Sequence, residues 1–289
     1  MSENPALLTA LLQELRRLND TLTRWAPPEP VDTDFEQIAF RWEQGRLEPL
    51  PEPQQLPLED LRGIEAQKNQ LIQNTRQFLK GLPANNALLW GARGTGKSSL
   101  IRALLTAYRD QGLRIIEVDR TQLRELAEIS RLVGDRPERF ILFFDDLAFE
   151  ADDGTYKALK AALEGSLAAL PRNLLIYATS NRRHLLPEAM ETQWLTRHQG
   201  TEIHPAEAVE ETLSLSERFG LWLSFHPFTQ DQYLDIVAHW LDRLGAPQSL
   251  EEARTEALAH ALLRGSRSGR VAFQFAKTWV GSRRLEPAD

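Results

Sequence analysis

The sequence predicts an α/β fold in which a five-stranded parallel sheet is followed by a small C-terminal helical domain and preceded by an N-terminal helical extension. Short apolar runs alternate with helical patterns across the middle of the chain, which is typical of a parallel sheet covered by helices on both faces. After Pro227 the pattern is helical throughout. We therefore divide the chain into residues 1–57, 58–227 and 228–289.

Two helices are predicted in the N-terminal extension. Five leucines recur there at spacings of three and four, which places one apolar stripe along a helix over residues 5–25: Leu8, Leu11, Leu15, Leu18 and Leu22. Such a stripe either packs on its own domain or docks a partner or a second subunit. A second short helix is predicted over residues 33–48, around Phe35, Ile38, Phe40 and Trp42. The prolines from Pro49 to Pro57 then form a semi-rigid connection, so we expect a boundary near residue 57.

Five apolar runs predict the strands of the sheet, at residues 87–90, 114–118, 140–144, 174–178 and 221–225. A helix ending near Lys80 precedes them, and further helices are predicted at about 98–110, 155–170 and 205–219. In the C-terminal region, Thr229 with Gln232 and Ser249 with Glu252 have the spacing of capping boxes, which predicts two helix starts. A last helix is predicted to begin near residue 268.

The composition excludes several kinds of protein. The chain has 289 residues, of which 42% are apolar and 26% are charged, as is usual for a globular protein. It contains no cysteine, which excludes disulfides, thiolate metal sites and cysteine nucleophiles. The net charge of -7 gives no overall basic footprint for nucleic acid. No apolar run approaches the roughly 20 residues of a membrane span, and the N-terminus lacks the order of a secretory signal. We expect a cytoplasmic protein with no membrane partner.

A glycine-rich string directly after the first predicted strand matches the phosphate-binding pattern G-x4-G-K-S. Glycines allow backbone N–H groups to converge on a phosphate without a Cβ in the way, and the following helix adds the partial positive charge of its N-terminus. In such a loop the lysine reaches the β- and γ-phosphate oxygens, and the serine hydroxyl coordinates Mg2+. The pattern predicts a site for ATP and Mg2+ made by Gly91, Ala92, Arg93, Gly94, Thr95, Gly96, Lys97, Ser98 and Ser99.

Two adjacent carboxylates follow the predicted strand at 140–144. Asp145 and Asp146 come at its carboxyl end, which is the ligand-binding edge of a parallel sheet. Asp145 is predicted to bind Mg2+, directly or through water, and Asp146 to polarise the attacking water. Together with the phosphate loop, this pair predicts hydrolysis of ATP as well as binding.

These motifs resemble the AAA+ superfamily of ATPases, and the resemblance extends from about residue 61 to residue 279. In that superfamily the second acidic residue is usually Glu, whereas here it is Asp146, and a similar pair occurs in replication-initiator members. Glu150 is therefore an alternative base. The strings at 81–99, 144–150 and 177–188 also resemble one poorly characterised bacterial family of the superfamily. Membership of that family implies ATP binding and little more.

The resemblance implies two further contacts to the nucleotide. Asn181, at the end of the fourth predicted strand, resembles the sensor 1 residue that helps to position the water and the γ-phosphate. Thr179 and Ser180 are the alternatives for this role. Ile64 resembles a residue that packs beside adenine.

Two arginines resemble residues that complete the catalytic site in the superfamily. Arg218 precedes the fifth predicted strand and resembles the arginine finger. In the fold we expect, it lies far from its own phosphate loop, which implies a homo-oligomer in which it serves the next copy. Arg270 resembles the sensor 2 arginine, with Arg267 as the alternative.

The resemblance implies an ATP-driven conformational switch that acts on a partner macromolecule. One alternative is a nucleic-acid-associated ATPase such as a helicase loader, which DNA- or RNA-stimulated turnover would identify. Another is a small-molecule kinase, which transfer of phosphate to an acceptor would identify. Polypeptide threading is disfavoured, because residues 119–126, after the second predicted strand, include no aromatic side chain.

Overall fold

The structure is a computed structural model that describes residues 33–51, 53, 55–148, 159, 160, 163, 170–181, 218–247 and 249–285, with positions 14 and 17. Several predictions fall outside or largely outside these residues: the helix over 5–25, those over 155–170 and 205–219, and the alternative base Glu150. Residues 1–35 and 36–289 form separate compact units. In the first, Arg17 forms an ion pair with Glu14 at 3.1 Å.

Seven strands form one sheet in the described part of the chain. They are β1 (Ala39–Glu43), β2 (Arg46–Pro49), β3 (Ala87–Gly91), β4 (Leu113–Glu117), β5 (Arg139–Phe144), β6 (Leu174–Ser180) and β7 (Leu221–Phe225). The order is β2-β1-β4-β5-β6-β3-β7, and every pair is parallel apart from β1 with β2. The strands predicted from the five apolar runs are therefore confirmed as β3 to β7. β5 and β6 are buried almost throughout, which is typical of parallel strands covered on both faces.

The helix predicted over residues 33–48 is wrong, because residues 39–49 form a β-hairpin at one edge of the sheet. Phe40 and Trp42 are buried while Arg41 and Glu43 are exposed, which is the two-residue period of a strand. The chain reverses at residues 44 and 45, both with positive φ. The hairpin raises the strand number from the predicted five to seven, and it places strands inside the range 1–57 that was predicted as a helical extension.

Six α-helices lie in the same part of the chain: α1 (Glu65–Leu79), α2 (Lys97–Tyr108), α3 (Leu126–Val133), α4 (Gln230–Arg243), α5 (Leu250–Leu263) and α6 (Gly269–Leu285). Single 3-10 turns lie at Leu58–Asp60, Arg109–Gln111 and Arg120–Glu125. None of these helices has the length and apolar character needed to cross a bilayer.

The last three helices pack on one another, with α5 joined through its buried alanines Ala253, Ala257 and Ala261. The predicted capping box at Thr229 is confirmed. The Thr229 side chain accepts from the backbone N–H of Gln232, and the Gln232 side chain accepts from the backbone N–H of Thr229. Ser249 precedes α5 but makes no side-chain capping bond, so the second predicted box is wrong. Its backbone φ of -83° and ψ of 2° differ from the extended geometry that lets an N-cap side chain reach back.

Candidate functional site

One cleft collects most of the predicted site residues. It has a volume of about 670 Å³ and lies between the carboxyl ends of the central strands, the segment before α1, and helices α4 and α6. One end is polar and is built by the phosphate loop and the aspartates after β5. The other end is mainly apolar and is shared by the core and the C-terminal helices.

The phosphate loop joins β3 to α2 in a shape that its glycines permit. Gly91, Gly94 and Gly96 have φ values of 129°, 76° and 100°, in the region that favours glycine. A Cβ on Gly91 would lie 1.9 Å from the carbonyl oxygen of Phe225 on the neighbouring strand. The N–H of Ala92 donates to that same oxygen at 3.1 Å. The start of the loop is therefore held against β7, and its other end is the N-terminus of α2.

Lys97 is the first residue of α2, and its amino group is held inside the loop. Nζ donates to the carbonyl oxygens of Gly91 at 2.7 Å and Ala92 at 2.8 Å, and to Oδ1 of Asn181 at 3.1 Å. The residue is only 6% exposed. Burial lowers the pKa of Lys97 to about 8, although the aspartates after β5 act to raise it.

Asp145 is held by hydroxyl groups from two neighbouring elements. Its Oδ1 accepts from Ser98 Oγ at 2.5 Å and from Thr179 Oγ1 at 2.6 Å, while its Oδ2 lies 3.6 Å from Nη2 of Arg102. Hydroxyl and carboxylate oxygens are the donors that Mg2+ prefers. The Ser98–Asp145 pair therefore fits a magnesium ion that a nucleotide would bring with it.

Asp146 has a left-handed backbone, with a φ of 55°. Its N–H donates to Thr179 Oγ1 at 2.9 Å, which fixes this conformation, and Asn181 Nδ2 donates to its Oδ1. Arg93 Nη2 lies 3.6 Å from its Oδ2, and the Asp146 side chain is 56% exposed. Backbone strain of this kind occurs often at functional sites. The carboxylate is both fixed in position and open to water.

The apolar end of the cleft is lined by Leu56, Leu61, Ile64, Phe228, Ile236, Trp240 and Phe273. The rings of Trp240 and Phe273 have centroids 4.5 Å apart. Ile64 packs so closely on the loop that a Cβ on Gly96 would lie 3.3 Å from its Cδ1. A wall of this kind suits a flat heterocyclic ring.

Two contacts connect the C-terminal helices to the core at this cleft. Asp60 is buried, with Oδ1 at 2.9 Å from His239 Nε2 and 3.0 Å from Arg243 Nε on α4. At the polar end, the N–H of Gly269 donates to the carbonyl oxygen of Gly94 in the phosphate loop at 3.0 Å. Helix α6 therefore begins in direct contact with the loop.

The predicted arginines separate into two groups. Arg270 lines the cleft and directly follows Gly269, whose N–H contacts the phosphate loop. Arg267 is exposed and does not line the cleft. Arg218 is exposed just before β7 and is also absent from the cleft lining. The structure thus brings Arg270 to the phosphate loop of its own chain and leaves Arg218 elsewhere on the surface.

Sequence reasoning missed several residues of the cleft. Arg102 could have been found, because it lies four residues after Ser98 and so on the same face of α2. Trp240, Phe273 and Asp60 carry no local signal, since only tertiary packing brings them to the phosphate loop.

The chain matches one family model and is distantly similar to solved structures of one protein. The RuvB Holliday junction branch migration motor of Thermotoga maritima shares 14% identity with a TM-score of 0.43, covering 77% of this chain and 71% of that chain. A mutant form of the same protein shares 13% identity with a TM-score of 0.42, covering 77% and 72%. No curated protein matches the sequence.

The family model of a protein of unknown function, DUF815, matches residues 35–283. This match covers well over half of the chain and confirms the predicted resemblance to a poorly characterised family. The phosphate loop between β3 and α2 lies within a mostly parallel sheet, which confirms the predicted α/β class. The chain belongs to the DUF815 family.

Proposed function

We propose that this chain is an AAA+-type ATPase that binds and hydrolyses Mg-ATP and uses the energy to change the conformation of a partner macromolecule. The observation that carries the proposal is one connected set of hydrogen bonds at the polar end of the cleft. Asn181 contacts both Lys97 and Asp146, and Ser98 contacts Asp145. Thr179 joins these two groups, because its hydroxyl donates to Asp145 and accepts from the N–H of Asp146. Phosphate-binding, metal-binding and water-activating groups are thus fixed relative to one another.

The charge of the cleft suits a polyphosphate. Five basic side chains line it, namely Arg62, Arg93, Lys97, Arg102 and Arg270. Of the three acidic residues in the lining, Asp60 is already paired with His239 and Arg243. A cleft with a positive balance raises the local concentration of an anionic ligand. Lys97 supplies the contact to the β- and γ-phosphate oxygens, for which it must exchange its present carbonyl partners.

Asp146 is the base that orients and polarises the attacking water in this proposal. Its carboxylate is open to solvent, and Asn181 holds one of its oxygens. Magnesium, held by Ser98 and Asp145, would neutralise charge on the phosphates. Glu150 remains the alternative base, and it lies outside the described residues. Asn181 lies between Lys97 and Asp146, which suits the sensor 1 role better than Thr179, whose hydroxyl is bound to Asp145.

The apolar end of the cleft binds the adenine ring of the nucleotide. Ile64 provides one wall from the core, and Trp240 provides the other from α4. A nucleotide would therefore touch the core and the C-terminal helices together. Because α6 also contacts the phosphate loop through Gly269, a change at the phosphates can alter the position of these helices. This is the proposed route from hydrolysis to a partner.

We assign Arg270 to the nucleotide of its own chain and Arg218 to that of a neighbouring copy. Arg218 is exposed and lies outside the cleft lining, as a residue that serves another subunit must. A guanidinium that stabilises charge during phosphoryl transfer is worth about 10³–10⁵ in rate. Head-to-tail contacts of this type form rings or helical arrays. The proposal therefore includes a homo-oligomer.

One mixing experiment tests hydrolysis and its completion by a second copy. Phosphate release is measured for wild type, Asp146→Asn, Arg218→Ala, an equimolar mixture of the two variants, and the exposed control Arg264→Ala. Each single variant should bind ATP yet turn over at least about tenfold more slowly, which corresponds to roughly 1.4 kcal/mol of barrier. The mixture should recover part of the activity, because some interfaces then combine an intact Asp146 with an intact Arg218.

Three outcomes would contradict parts of this proposal. Wild-type turnover in Asp146→Asn would exclude Asp146 as the base. Activity that is constant across dilution, with no recovery in the mixture, would exclude the role of Arg218 in a second copy. Phosphate appearing on an added acceptor instead of in solution would favour a kinase. Stimulation by DNA or RNA would contradict none of these parts and would identify the partner as nucleic acid.

A further inference from the structure

Arg102 lines the cleft but has no part in the predicted site. It lies on α2 four residues after Ser98, so the two side chains share one face of the helix. Side chains on a helix lean toward its N-terminus, which here is the phosphate loop. Nη2 of Arg102 consequently lies 3.6 Å from Oδ2 of Asp145. The carboxylate expected to hold Mg2+ therefore faces an arginine cation.

The two oxygens of Asp145 have different partners. Oδ1 accepts hydrogen bonds from the hydroxyls of Ser98 and Thr179, and Oδ2 faces Arg102. A divalent cation bound at Ser98 and Asp145 would lie within a few ångströms of the guanidinium, where like charges repel. It would also have to share the carboxylate with Arg102. The Arg102 and Asp145 side chains are 43% and 35% exposed, so solvent weakens this competition without removing it.

We propose that Arg102 competes with Mg2+ for Asp145 and thereby sets the Mg2+ concentration at which the cleft binds nucleotide tightly. This inference rests on the proposed function and adds a regulatory element to the same site. Arg102 is a positioning residue here, because it acts through Asp145 and not on the nucleotide. The competing interpretation, in which Arg102 binds a phosphate directly, predicts a different response and is an outcome of the test.

The test measures ADP affinity at a series of free Mg2+ concentrations, starting from a solution with EDTA. Calorimetry reports binding without any turnover. Arg102→Gln removes the charge and keeps a polar, although shorter, side chain, and Arg102→Lys keeps the charge. The matched control is Arg109→Gln, since Arg109 follows the same helix beside Asp110 and does not line the cleft.

We expect the Mg2+ concentration that gives half of the maximal affinity to fall by about two- to fivefold in Arg102→Gln, the range that a partly exposed ion pair supplies. Arg102→Lys should stay closer to wild type, and Arg109→Gln should match it. An unchanged or raised midpoint in Arg102→Gln would overturn the inference. So would a loss of affinity in EDTA with no shift of the midpoint, which would identify Arg102 as a phosphate ligand. If wild type binds no nucleotide at any Mg2+ concentration, the proposed function itself fails. If wild type binds nucleotide but Arg102→Gln shows an unshifted midpoint, only the inference about Arg102 fails.

Discussion

The two ends of the cleft are built in different ways. The polar end comes mainly from short sequence segments that each follow a strand: the loop after β3, the aspartates after β5 and Asn181 after β6. Hydrogen bonds of 2.5 to 3.1 Å join the side chains of these segments, Lys97 to Asn181 and Ser98 and Thr179 to Asp145. The apolar end is made by residues that are distant in sequence, such as Ile64, Trp240 and Phe273, which meet through packing alone.

This difference implies a division of labour between chemistry and mechanical coupling. The polar end lies at the carboxyl edge of the sheet, where directional bonds fix each group for the proposed phosphate chemistry. The apolar end lies partly on α4 and α6, and non-directional packing tolerates small shifts of these helices. A ligand that spans both ends can therefore keep its phosphates fixed while its base moves with the C-terminal helices.

The largest effect is expected at the polar end. Lys97→Ala should weaken ATP binding by about 10- to 100-fold, because a charged hydrogen bond to phosphate contributes roughly 1.5–3 kcal/mol. The melting temperature should change little, since the lysine now holds only loop carbonyls and Asn181. Calorimetry with ATP and Mg2+ measures the affinity, and the exposed control Lys80→Ala should bind as wild type does. Equal affinity in Lys97→Ala would show that the nucleotide does not use this loop.

A smaller effect is expected at the apolar end. Trp240→Ala should weaken ATP binding by at least about fivefold, because stacking of a base on an aromatic ring contributes roughly 1–3 kcal/mol. Trp240→Phe keeps an aromatic face against Phe273 and should stay close to wild type. Binding of inorganic triphosphate should be the same in all three proteins. Equal losses for ATP and triphosphate would mean that Trp240 supports the fold of the cleft and not the base.

The two ends also differ in how far the sequence predicts them. Most groups of the polar end lie in local patterns of a strand followed by a loop, and these patterns predict their positions, whereas Arg102 on α2 was missed. Trp240 and Phe273 could not be predicted, because their contact depends on how α4 and α6 cross. Roles inside the polar end also needed tertiary structure, as the choice of Arg270 over Arg267 in the cleft lining illustrates.

The elements of the fold also differ in how far local sequence patterns predict them. Strands β3 to β7 are long apolar runs, and their positions follow from the sequence. The hairpin was misassigned because Phe35, Ile38 and Trp42 have spacings that also fit a helix. Residues 40 and 42 alternate with charged neighbours, and Gly45 supplies the turn, so the period of two was present but short. Residues 39–43 form a strand because they pair with β4, and this long-range pairing cannot be read from a local sequence pattern.

The smallest expected effect is a change of affinity with pH that belongs to the polar end alone. Burial lowers the pKa of Lys97 to about 8, with Asp146 and Asp145 acting to raise it and Arg93 acting with burial. Phosphates favour the charged lysine, so the pKa of Lys97 should be higher when nucleotide is bound. Binding must then take up a proton above pH 8, and ATP affinity should fall as the pH rises through that value, by less than about tenfold between pH 7.5 and 8.5.

Calorimetry in two buffers of different ionisation enthalpy measures this proton uptake directly. Lys97→Arg supplies the control, because an arginine stays protonated throughout this range. Its affinity is expected to be independent of pH, whatever its absolute value. Trp240→Ala leaves Lys97 in place and should retain the full pH dependence at a lower affinity. A pH dependence that persists in Lys97→Arg, or that disappears in Trp240→Ala, would show that the titrating group lies elsewhere and that the two ends of the cleft do not act independently.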